Sequence, residues 1–141
     1  MERRDLIKDQ IEQLGKVLGT IIAGFFGLKS QGKVEQGIEI SNEKFKEEMD
    51  IDINKILRIE YSDLSIYLSN LKLSPEQFEK LIDYIIEIGE YTLNTNKKKG
   101  INILERVLEM YTILDTKSNT YSFTRIKKEK RIKDLLEEKA K

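Results

Sequence analysis

Cysteine and histidine are absent from the 141 residues, and proline occurs once. The missing thiol removes disulfides, thiolate nucleophiles and iron–sulfur ligation together, and fits a reducing cytoplasm. The missing imidazole is more restrictive, because histidine is the commonest metal ligand and the usual general base near neutral pH. Zinc motifs and His-containing triads are therefore excluded, which leaves carboxylate, lysine, tyrosine and serine chemistry. Charge of one sign is missing too: 25 Lys and Arg balance 25 Asp and Glu. No long-range field steers the chain toward nucleic acid or an anionic membrane. With a single proline and no Gly–Ser run there is no linker, so residues 1–141 read as one domain. A chain this long can bury roughly 68–70% of its unfolded surface without a metal or disulfide.

What is present suits long helices: Ile, Leu, Glu and Lys dominate, and the heavy use of Ile, Lys and Asn is associated with AT-rich bacterial genomes. Apolar residues at Ile7, Ile11, Leu14, Leu18, Ile21, Phe25 and Leu28 alternate steps of four and three, which predicts one long helix over 1–30. Gly15, Gly19, Ala23 and Gly27 recur beside that stripe every four residues. Glycine in a helix interior costs about 1 kcal/mol relative to alanine, so the strip implies a close approach of another backbone, within the chain or in a second copy. Residues Val17–Leu28 carry no charge, yet this run is shorter than the ~20 residues a spanning helix needs. The lead-in mixes acids and bases, unlike a signal peptide. No membrane span is expected.

Val34, Gly37, Ile38, Ser41 and Phe45 mark the inward side of a second helix over 33–49, hinged to the first at Ser30–Gly32. Residues 52–72 read as an irregular helical segment with Asp52 and Ser62 as caps. Ser74-Pro75-Glu76-Gln77 is a capping serine, a first-turn proline and a reciprocating glutamine, so a helix starts at Pro75. Its apolar positions Phe78, Leu81, Ile82, Ile85, Ile86, Ile88 and Leu93, with Tyr84 and Tyr91, surround the cylinder and predict a central buried helix. A turn at Asn94–Lys99 leads to a further helix through Ile103, Leu104, Val107, Leu108, Tyr111 and Leu114, the hairpin spanning 75–115. A last, half-buried helix over 122–139 carries Phe123, Ile126, Ile132, Leu135 and Leu136, interrupted by Arg125, Glu129 and Lys133, and should fray beyond Glu138. The fold class is all-α, with about six helices in antiparallel hairpins.

The turn and helix start at residues 32–40 superpose on 95–103, each ending in Gly-Ile-x-Ile, at an offset near twice the 34-residue tetratricopeptide period. Here the chain resembles that repeat family. Gly37 and Gly100 match its small residue where the two helices of a hairpin touch. Tyr84 and Tyr91 match large first-helix positions, and Leu104 and Val107 match second-helix core positions. The segment from Ile51 to Lys72 does not fit, and the usual closing proline is missing. The arrangement also looks like small bacterial proteins of unknown function with this kind of fold. Many tetratricopeptide domains hold a partner's C-terminal carboxylate with Lys, Arg and Asn. The matching positions here are Gly19, Ile22, Ala23 and Phe26, then Ile82, Ile85, Ile86 and Gly89, which implies an apolar surface in place of a carboxylate clamp.

Chemical motifs are thin. Asp50-Ile51-Asp52-Ile53-Asn54 begins like a calcium loop, but Lys55 replaces the glycine and Tyr61 the bidentate glutamate, and helix-capping acids explain the same residues. Ser41-Asn42-Glu43-Lys44 has the Ser-x-x-Lys spacing of a penicillin-binding nucleophile without its companion motifs. Adjacent pairs such as Glu47 and Glu48, or Glu137 and Glu138, point apart on a helix. No enzyme activity, cofactor or metal is expected. The expected function is a non-enzymatic interaction or scaffold module that self-associates as a homodimer, with another protein as the other candidate partner. Its candidate interface is Gly15, Leu18, Gly19, Ile22, Ala23, Phe26 and Gly27. The alternative is a small-ligand or nucleic-acid-binding regulator using a basic patch on the last helix, Lys127, Lys128 and Arg131 with Arg125, Lys130 and Lys133 nearby.

Overall fold

A computed structural model describes residues 3–118 and 122–140. Those residues are all-α: seven helices and no strand among them. They are α1 (Arg3–Ser30), α2 (Val34–Met49), α3 (Ile53–Arg58), α4 (Tyr61–Asn70), α5 (Pro75–Thr95), α6 (Lys97–Ser118) and α7 (Phe123–Ala140). The helices cluster into two compact units, Met1–Gln77 and Phe78–Lys141. The sequence reads as one domain because nothing linker-like parts them; the division falls inside the first turn of α5.

In the first unit, α1 ends in a paired-bond cap. The Lys33 N–H donates to the Leu28 carbonyl and the Gly32 N–H to the Lys29 carbonyl, both at 2.9 Å. This motif requires a left-handed residue, and Gly32 supplies it at φ +75°. The chain therefore reverses within three residues, and α2 returns against α1. They approach closely at Gly37, where an added Cβ would lie 3.2 Å from the Phe25 ring and 3.3 Å from Leu28 Cβ. Leu18, Ile21 and Phe25 on α1 and Ser41 and Phe45 on α2 are buried. The expected stripe from Ile7 is thus only partly inward: Ile7 and Ile11 remain 50% and 39% exposed.

The middle segment is more regular than its sequence suggests. The Asp52 carboxylate caps α3 by accepting from the Lys55 N–H at 3.1 Å, and the Asp52 N–H donates to the Tyr67 hydroxyl at 2.9 Å, tying α3 to α4. Ser62 is not the second cap. Ile59 and Glu60 are both extended, so helical geometry begins at Tyr61, with Glu60 at the N-cap and Ser62 inside the first turn.

Ser74 and Gln77 form the reciprocal box: the Gln77 N–H donates to Ser74 Oγ at 3.2 Å and the Ser74 N–H to Gln77 Oε1 at 3.0 Å. The same glutamine reaches back with Nε2 to the Ile11 carbonyl at 2.7 Å. One side chain closes the α5 cap and pins α1. Gln77→Ala should therefore cost about 1–2 kcal/mol, more than an ordinary cap loss because a second bond goes with it. Urea denaturation measures this, and an unchanged midpoint would refute the dual role.

In the second unit, Phe78, Leu81, Ile82, Tyr84, Ile85, Ile86, Ile88 and Leu93 of α5 are all buried, as the encircling pattern predicts, while Tyr91 is only half-buried. The turn that follows is shorter than expected. Asn96 alone separates the helices, its side chain accepting from the Lys99 N–H at 3.2 Å. α5 and α6 are antiparallel, since Gly89 meets Ile103 and Leu104 while Gly100 meets Leu93. α6 continues to Ser118, past the expected end at 115; Asn119, Thr120 and Tyr121 lie outside the described residues. α7, capped by Ser122 Oγ accepting from the Arg125 N–H at 3.2 Å, remains helical to Ala140.

Candidate functional site

The outward face of α1 is the first candidate. Of its seven predicted interface residues, Leu18 is in the core. It cannot serve as a surface contact, because it lies on the buried stripe with Ile21 and Phe25. Gly15 takes up Gln77, whose Nε2 would lie 3.3 Å from an added Cβ. The other five lie together. Ala23, Phe26 and Gly27 are exposed, Gly19 and Ile22 half-buried. An added Cβ at Gly19, Gly24 or Gly27 meets nothing within 4 Å. The small-residue strip is therefore not the crossing between α1 and α2, which Gly37 makes instead. Phe26 is 42% exposed with the Lys29 ammonium 5.6 Å from its ring centre. Ile7–Ser30 is also long and apolar enough by composition to cross a membrane, with only 17% of the relevant stretch buried.

The two sets of positions that the tetratricopeptide resemblance aligns differ in exposure. Ile82, Ile85, Ile86 and Gly89 on α5 are buried, whereas Gly19, Ile22, Ala23 and Phe26 on α1 are open or half-open. Both sets lack the cations of a carboxylate clamp, and one set lacks a cover.

The basic helix is the second candidate, and its local pattern misleads. The expected apolar stripe holds Phe123 and Ile126 and is interrupted by Arg125; in the structure Phe123 is 85% exposed, Ile126 46% and Arg125 only 5%. α7 runs parallel to α5 and matches its acids in order. Arg125 faces Glu79 at 3.7 Å, Lys128 faces Asp83 at 2.8 Å, and Arg131 meets Glu90. Arg125 also donates to Asp115 of α6 at 2.6 Å. Four of the six basic residues are thus paired with carboxylates, Arg125, Lys128 and Arg131 across helices and Lys133 with Glu129 at 3.9 Å one turn back, and a phosphate ligand would have to displace these. Lys127 and Lys130 are exposed. Sequence reasoning missed Arg125 as the anchor. No local signal marks it: Arg125, Lys128 and Arg131 are spaced i, i+3, i+6 whereas Glu79, Asp83 and Glu90 are spaced i, i+4, i+11, so only the tertiary pairing matches them.

Beneath this seam lies Tyr111, fully buried, its hydroxyl without a hydrogen-bond partner among the described residues. Burial, then the Asp83, Glu79 and Glu129 carboxylates, push its phenol well above the ordinary range, against the Arg125 charge. It stays neutral at any physiological pH. Glu129 is also raised, by burial first and then by Asp115, opposed by Lys133 and Arg125. The fold therefore disfavours the ionised form of Glu129, a cost fully present above the raised pKa and relieved as pH falls through it. Glu129→Gln should raise the melting temperature at pH 7, with the gain vanishing toward pH 4. A gain that persists undiminished in acid would contradict this assignment.

The catalytic motifs find no geometry. Ser41 is buried while Lys44 is exposed, so the Ser-x-x-Lys pair does not meet. Asp52 is occupied in capping α3, and no group of three acids positioned to hold a metal exists among the described residues. A shallow depression between α2 and α3 is lined by Glu39, Glu43, Lys46 and Arg58, a mixed polar surface with no nucleophile and base in contact.

No family model, curated protein or solved structure matches the chain.

Proposed function

We propose that this protein is a non-enzymatic interaction or scaffold module, built on tetratricopeptide-like hairpins, that associates with itself through the outward face of α1. The observation that carries this reading is the contrast between equivalent first-helix faces: the α5 face is covered, and the α1 face of Gly19, Ile22, Ala23, Phe26 and Gly27 is not. Apolar helix surface of that breadth is the usual mark of a docking site. The seam on α7 supports the same reading by engaging the cations a nucleic-acid site would use.

Size exclusion coupled to light scattering tests the proposal. Wild-type chain at micromolar concentration should show more than one chain's mass. Phe26→Lys, which adds a charge at an exposed position, should give a single chain of 16.5 kDa with unchanged helicity and melting temperature. A wild-type mass of one chain across the concentration range overturns it.

A further inference from the structure

We infer that the partner on α1 is a second copy of the chain lying antiparallel to the first, crossing between Gly19 and Ala23. This inference rests on the self-association reading and adds its geometry. Asp9, Glu12, Lys16, Gly19, Ala23, Phe26 and Ser30 follow one another in steps of three and four, so they form one seam on the helix. Gly19 is half-buried and the other six are exposed. Along that seam acids stand at the N-terminal end, small residues at the centre, and Lys29 and Lys33 flank the C-terminal end.

Two-fold symmetry makes the seam its own complement. An isologous pair requires that if one residue meets another, the second meets the first in the other copy. With the axis between Gly19 and Ala23, Gly19 faces Ala23 of the second copy, where neither side chain holds the backbones apart. Lys16 faces Phe26 of the second copy, so the lysine stem and ammonium cover an exposed ring. Glu12 comes opposite Ser30, with Lys29 at its flank, and Asp9 comes to the end of the helix, where the turn carries Lys33. The acids of the seam then meet the lysine-bearing C-terminal end of α1, and Lys16 meets an aromatic face. A parallel pair sets Asp9 on Asp9, Glu12 on Glu12 and Lys16 on Lys16, which repels along its length. The crossing also accounts for the open strip: an added Cβ at Gly19 would meet nothing within 4 Å outside its own helix, yet glycine there costs helix stability.

The absence of native cysteine makes the arrangement directly testable. Glu12→Cys and Ser30→Cys chains, one carrying an affinity tag, are mixed and mildly oxidised. Antiparallel pairing predicts that the mixed disulfide predominates, with little crosslinking of either variant alone. Efficient disulfide formation by each variant alone, without preference for the mixture, means parallel pairing and overturns the inference while leaving self-association intact. A charge-reversal set gives an independent readout. Glu12→Lys and Lys29→Glu should each weaken the dimer roughly two- to fivefold, and the double variant should restore it; failure of the double to restore also overturns the register. A one-chain mass with flotation of the protein on phosphatidylglycerol vesicles removes both readings and makes a lipid surface the occupant.

Discussion

Gly100→Ala should lower stability by about 2–3 kcal/mol, a fall of roughly 5–10 °C in melting temperature for a chain of this size. The expectation runs against helix propensity, by which alanine in a helix interior gains about 1 kcal/mol over glycine. At Gly100 the gain is overridden by contact. An added Cβ would lie 2.5 Å from the Leu93 nitrogen and 2.7 Å from its Cα. These are backbone atoms of α5, one residue of turn away, so no side chain can rotate aside. The two helices would have to part, and the contact of Gly89 with Ile103 and Leu104 would loosen with them. Gly24→Ala is the matched control, because an added Cβ there meets nothing within 4 Å; it should stabilise by about 0.5–1 kcal/mol. Thermal melts of the two variants should move in opposite directions. A Gly100→Ala protein that melts at or above the wild-type temperature would show that the α5–α6 crossing is not held as closely as described.

This pair of glycines also shows what sequence alone can reach. Gly100 and Gly37 are legible because each sits at a fixed place after a turn, and a local motif carries its own geometry. The same is true of Ser74 and Gln77, whose reciprocal bonds appear where the spacing demands them. The strip from Gly15 to Gly27 is different. Its periodicity shows that a face without side chains exists, but not which neighbour the face meets, and in the folded chain Gly19, Gly24 and Gly27 look onto open space. Arg125 fails for a related reason. A hydropathy stripe presumes that the surface opposite is apolar, whereas α5 presents Glu79, Asp83 and Glu90 in a row that only tertiary pairing reveals. Ser62 shows the smallest scale of the same limit, since cap preference is a weak term beside the extended geometry of Ile59 and Glu60.

Arg125→Met should cost about 3 kcal/mol and release α7 from the second unit. Breaking a buried pair by removing one partner typically costs about 3–5 kcal/mol, because the surviving charges lose their counter-ion in a poorly solvated place. The lower end applies, since the Asp115 side chain is 51% exposed and can recover water, while Glu79 at 22% recovers less. The neighbouring pairs cannot compensate. Lys128–Asp83 and Arg131–Glu90 are partly or largely solvated and each is worth at most about 1 kcal/mol. Ile132 is then the only fully buried apolar anchor of α7 among the described residues. Hydrogen exchange should show loss of protection over α7 while α5 and α6 keep theirs, and the melting temperature should fall. Arg125→Lys should recover only part of the loss, because an ammonium cannot reach Asp115 and Glu79 with two separate nitrogens. Adding Glu79→Gln to Arg125→Met should restore more, by removing the less solvated of the stranded carboxylates. If Arg125→Met leaves both protection and melting temperature unchanged, the apolar contacts of α7 hold it without the seam, and the acids of α5 are only a solvated face.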